Sequence, residues 1–93
     1  MDNAQISEAV TAARRSLARI FAGKRFPDRA AWKLADVARE VADVADPITA
    51  GSITCALARY EAALWQAYKK DKRELRNASE ELCSLLDTWA ASA

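Results

Sequence analysis

Three stretches of the chain place apolar side chains alternately four and three residues apart: Ile6, Val10, Ala13, Leu17 and Ile20; Ala30, Leu34, Val37, Val41 and Val44; Ile53, Leu57, Tyr60, Leu64 and Ala67. A stripe recurring about every 3.5 residues lies along one side of an α-helix, and hiding that side from water requires another helix against it. A further stripe, Leu75, Ala78, Leu82, Leu85 and Trp89, resumes after an interruption at Asp71. The pattern predicts an all-α protein.

The breaks between stripes set the predicted elements. Helix one is expected over about 4–22, with Asp2 or Asn3 able to cap its start and Gly23 placed to end it in the left-handed conformation glycine tolerates. Pro27 suits the first turn of a second helix, Asp28 lies beside its positive end, and the stripe then runs to Ala45. Pro47 stops that helix, and Thr49 or Ser52 can cap the next. Residues 52–89 contain no Gly or Pro, which would permit one helix of roughly 38 residues, about 57 Å long. Such a rod would overhang its partners. A break within 69–73 instead yields two helices of about 18 residues that match the first two, although Lys72 and Arg73 are poorly placed at a helix start. The expected fold is therefore a small antiparallel bundle of four helices; the alternative is three helices with one long third helix, dimerised to cover it.

Composition narrows the function more than the fold. The 93 residues form one domain, 1–93, and alanine supplies 22 of them, which favours helix and lets helices approach closely. A core this small is marginal unless packing is good or a second copy contributes, so a homodimer is a candidate state. Net charge is +1 from 14 basic and 13 acidic residues, so there is no global pull toward nucleic acid or an anionic membrane. No apolar run approaches the length of a membrane span, and the polar, acidic start is unlike a signal peptide, which predicts a cytoplasmic protein. The rich use of alanine and arginine fits a GC-rich bacterial or phage gene.

Candidate chemistry is sparse. The sequence contains no histidine, which removes the commonest proton shuttle and metal ligand. Asp36, Glu40 and Asp43 share one side of helix two, but a solvated acidic face explains them better than the Glu-x-x-His pattern of carboxylate-bridged metal bundles, which is missing. Cys55 and Cys83 would stand at equal height on adjacent helices if the chain turns near residue 69; inert packing is the simpler reading. No cofactor, metal or catalytic residue is expected.

The uneven placement of cations is more informative. Lys24, Arg25, Arg29 and Lys33 cluster around the first connection, and Lys69, Lys70, Lys72, Arg73 and Arg76 around the third. In an up-down-up-down bundle these connections share one end, so an almost neutral protein would be polarised, with Asp2, Asp43 and Asp46 at the other end and Glu80, Glu81 and Asp87 leading toward it. Aromatic residues lie nearby: Phe26 in the basic loop, Trp32 on a polar face between Asp28, Arg29, Asp36 and Arg39, and Trp65 beside the stripe of helix three. Tryptophan and arginine are frequent interface anchors. The expected function is a non-enzymatic protein-interaction module, with these cations and aromatics meeting another protein that presents an acidic surface. Nucleic-acid binding through the same end is the alternative, disfavoured by the charge balance and by the lack of a basic recognition helix.

Overall fold

The computed structural model describes residues 1–23, 27–67 and 72–92, and among these the backbone forms four α-helices. They are α1 (Asn3–Phe21), α2 (Arg29–Val44), α3 (Pro47–Trp65) and α4 (Arg73–Ser92). Each packs on its neighbours in sequence, α4 closes back on α1, and α2 touches α4 across the diagonal. Residues 72 and 76 lie against 20 and 21, whereas residue 14 reaches 80 and 87, so α1 and α4 run antiparallel. The bundle is 37 × 22 × 16 Å, and the long-rod alternative is excluded by the break between Trp65 and Arg73.

The predicted stripes face inward. Ile6, Val10, Leu17 and Ile20 of α1, Leu34, Val37 and Val41 of α2, Ile53, Leu57, Tyr60 and Leu64 of α3, and Leu75 and Leu82 of α4 are all buried; Leu86, outside the predicted stripe, is fully buried while Leu85 is only partly so. Between them Ala13, Ala31, Ala38, Ala56 and Ala78 are completely buried, which is how an alanine-rich chain brings its helices close. Trp89 and Leu85 pack on the core from its margin. Val44 departs from the expectation: it continues the α2 stripe but is 74% exposed, because α2 ends there and no neighbouring helix extends over it.

The helix starts follow short-range chemistry. Asp2 caps α1 in a reciprocal box with Gln5, each side chain bonding the other residue's backbone N–H. Asp28 caps α2 from just outside the helix. The expected start of helix three at Thr49 or Ser52 needs correction. Asp46 accepts the Thr49 N–H at 3.1 Å, and Pro47 takes the first helical position, where its missing N–H costs nothing. Pro47 therefore opens α3, and α2 and α3 are joined by Ala45 and Asp46 alone. Gly23, at φ 76°, leaves α1 in the left-handed region as expected.

An arginine spans each seam of the bundle. Arg19 reaches Asp28 between α1 and α2, and Arg39 bonds Glu61 between α2 and α3. Arg59 meets Glu74 and Glu81 between α3 and α4, and Arg14 meets Glu80 and Asp87 between α4 and α1. Glu80, Glu81 and Asp87 thus serve the seams rather than forming a graded acidic run along α4.

Candidate functional site

One end of the bundle is made by the last turns of α1 and α3 and the first turns of α2 and α4. The third connection meets the first helix there: the Lys72 ammonium donates to the Ile20 carbonyl at 2.9 Å, a second bond on an acceptor that also takes the Gly23 N–H at 3.0 Å. One turn on, the Arg76 guanidinium lies 4.7 Å from the centre of the Phe21 ring. Phe21, Ala22, Gly23, Lys72, Arg73 and Arg76 together line a shallow basic depression. The cations predicted from α4 are therefore gathered at this end, but Lys72 and Arg76 are each engaged with α1.

Arg29 and Lys33 are exposed on α2, which stands diagonally across from α4. They flank Trp32 in a groove that also includes Met1, Asp36, Val37 and Glu40. Trp32 is half-buried rather than displayed on a polar face: it packs on the core and against Trp65, with ring centroids 4.9 Å apart and planes inclined by 57°. Trp65 is the displayed partner, 71% exposed at the end of α3. The two tryptophans form a tilted pair across the α2–α3 seam, one anchored and one presented. Sequence periodicity pointed to Trp32 as the outward residue because a helical wheel shows only its own helix, not the neighbour that covers it. Lys24, Arg25, Phe26, Lys69 and Lys70 lie outside the described residues.

Asp28, one of the acidic residues at this end, is already committed. One oxygen of Asp28 accepts the Ser16 hydroxyl at 2.6 Å and the Ala30 and Ala31 N–H groups, while the other faces Arg19. The Ser16 hydrogen bond, helped by the two backbone donors and Arg19, holds the Asp28 carboxyl below its ordinary value. Deeper in, Tyr60 donates to the Ala31 carbonyl at 2.6 Å, and burial raises its phenol well above the usual range. Burial also pushes the Cys83 thiol up to about 11, whereas Cys55 is exposed on α3; both are free. Ser16, bonded to Asp28, and Tyr60, bonded to Ala31, tie α1 and α3 to α2, whereas Ser79 bonds the Arg76 carbonyl within its own helix. Among the described residues no cluster of three potential metal-ligating side chains occurs, and no helix is long and apolar enough to cross a membrane.

No known protein family, curated protein or solved structure matches the chain. The geometry of the bundle is thus the ground on which a function has to be argued.

Proposed function

We propose that this protein is a non-enzymatic interaction module that docks on an acidic surface of another protein, in the manner of small bacterial or phage inhibitors, immunity proteins, antitoxins or chaperones. The observation that carries the reading is Trp65: a large aromatic ring, 71% exposed, steadied by Trp32 and within the same end as Arg29 and Lys33. A rigid aromatic costs little conformational entropy to bury, and cations around it supply the complementary charge that steers an acidic partner. Arg73 belongs to the same end and borders the depression around Phe21.

A protein partner fits better than a nucleic acid. Among the described residues, the cations of α2 and α4 stand on diagonally opposed helices, and two of them are engaged with α1, so these do not compose one stripe that could track a phosphate backbone.

The test is capture of partners by the full-length protein from the cells that make it, followed by affinity measurement with the purified partner. Trp65→Ala should weaken binding by about 2 kcal/mol or more, about 30-fold in Kd, and Arg29→Glu/Lys33→Glu should slow association most strongly at low salt. A partner whose affinity is the same for wild type and both variants refutes the surface. Tight binding of DNA or RNA that collapses as salt is raised would replace this reading with the nucleic-acid one.

A further inference from the structure

The opposite end of the bundle carries a second surface of different chemistry. It is built from the start of α1, the last turns of α2, the start of α3 and the end of α4. Met1, Ile6, Val41, Val44 and Trp89 line a groove of about 310 Å³ there, with Glu40 and Asp43 on its edge. Of the four large apolar side chains exposed among the described residues, three lie at this end: Met1 at 56%, Val44 at 74% and Ile48 at 83%. Apolar exposure concentrated in this way, beside polar residues, marks a binding surface more often than chance.

The charge around the groove is predominantly negative, the α-ammonium of Met1 apart. Residues 1–8, 40–52 and 87–92, which make up this end, hold the carboxylates Asp2, Glu8, Glu40, Asp43, Asp46 and Asp87 and not one lysine or arginine. Asp87 is paired with Arg14, while Glu40 and Asp43 make no ion pair among the described residues. Neither α2 nor α4 has a basic side chain in its last turn, so the negative ends of two helix dipoles add to the field of the carboxylates. Along α2 the acidic pair Glu40 and Asp43 and the apolar pair Val41 and Val44 both recur three residues apart, the spacing at which one helix meets the side chains of another.

We infer that this groove binds a cationic amphipathic helical segment of another protein, seating an apolar side chain between Val44, Met1 and Trp89 while its lysines or arginines meet Glu40 and Asp43. The volume lies at the low end of the ~300–1,000 Å³ typical of ligand clefts, which suits one or two side chains of a docking helix rather than a cofactor. Met1 and Glu40 also border the groove that holds Arg29, Trp32 and Lys33, whereas Trp65 does not line this surface, so Trp65→Ala tells the two sites apart.

The experiment uses the full chain with any tag placed after residue 93, and a dye-labelled, amidated helical peptide of alternating leucine and arginine turns as the probe. Fluorescence anisotropy should show saturable binding that weakens with salt and is absent for the same peptide with glutamate in place of arginine. Val44→Glu and Glu40→Lys/Asp43→Lys should each weaken it about tenfold or more while circular dichroism shows the helices retained, and Trp65→Ala should leave it unchanged. The proposal is overturned if binding fails to saturate below about 1 mM at low salt, or if both groove variants bind the peptide as well as wild type does. It is equally overturned if light scattering shows that a second copy fills the groove, with assembly lost in both Val44→Glu and Trp65→Ala.

Discussion

At the scale of single residues, burial separates groups that look alike in the sequence. Cys55 on α3 and Cys83 on α4 are both free, yet one faces water and the other the core. Desolvation disfavours the Cys83 thiolate, the reactive form, and pushes its thiol up to about 11, so at neutral pH it is both hidden and protonated. A thiol reagent such as a maleimide should therefore label one cysteine in the native protein, Cys55, and the second only after unfolding in urea. Mass spectrometry of the labelled peptides reads this directly, and rapid native labelling of Cys83 would contradict the packing of α4. The tryptophans divide in the same way. Trp32 and Trp65 are equivalent as interface candidates by composition, and only their 4.9 Å contact shows which one supports the other.

At the scale of elements, the starts of the helices decide the connections. Asp28 does three things at once: it caps α2, accepts the buried Ser16 hydroxyl of α1, and pairs with Arg19. Asp28→Ala should cost about 1–2 kcal/mol in urea unfolding at neutral pH, since it removes a cap and strands the Ser16 hydroxyl. The pH dependence has a definite sign. Because the folded protein holds the Asp28 carboxyl below its ordinary value, its contribution is present above the usual carboxylate range and is lost as pH falls through the lowered value. Asp28→Asn, which keeps an acceptor for the cap, should cost less at neutral pH and flatten the acid side of the stability profile. An unchanged acid limb in Asp28→Asn would show that the carboxylate is not the titrating group. The two elements whose boundaries were least legible, the start of α3 and the start of α4, share a cause. Asp46 caps from before Pro47, where a proline reads equally well as a stop or as a first helical residue, and α4 begins at Arg73 despite the unfavourable dipole, with the preceding Lys72 bonded to the Ile20 carbonyl of a distant segment.

At the scale of the whole molecule, the core and the charged seams contribute differently. The seam arginines are about half exposed and their carboxylate partners mostly exposed, so each pair is worth roughly 0–1 kcal/mol and is screened by salt. Arg59→Ala should accordingly lower stability by less than about 1 kcal/mol, whereas Leu82→Ala, at a fully buried position, should cost about 2–5 kcal/mol. Urea midpoints at low and high salt check the pair, and a larger loss for Arg59→Ala would mean that the seams, not the core, hold the bundle. The ion pairs act instead on arrangement. One arginine at each seam rewards the register in which all four seams close together, and that same register forms the two ends proposed as binding surfaces.

The four apolar stripes, the breaks between them and the alternation of charge were legible in the sequence because each depends on residues within a few turns of one another. From them follow an all-α bundle, its antiparallel order and the place of Arg29, Lys72, Arg73 and Arg76 at one end. Which side chains stay in water was not legible, because exposure depends on the neighbour that arrives from elsewhere in the chain. Trp65 is displayed because Trp32 stands beneath it, Lys72 is occupied because α1 ends beside it, and Val44 is bare because nothing extends beyond α2. Local spacing settled what the helices are, and tertiary packing settled which of their faces remain available to a partner, since solvent exposure is a property of contacts between elements and not of any element alone.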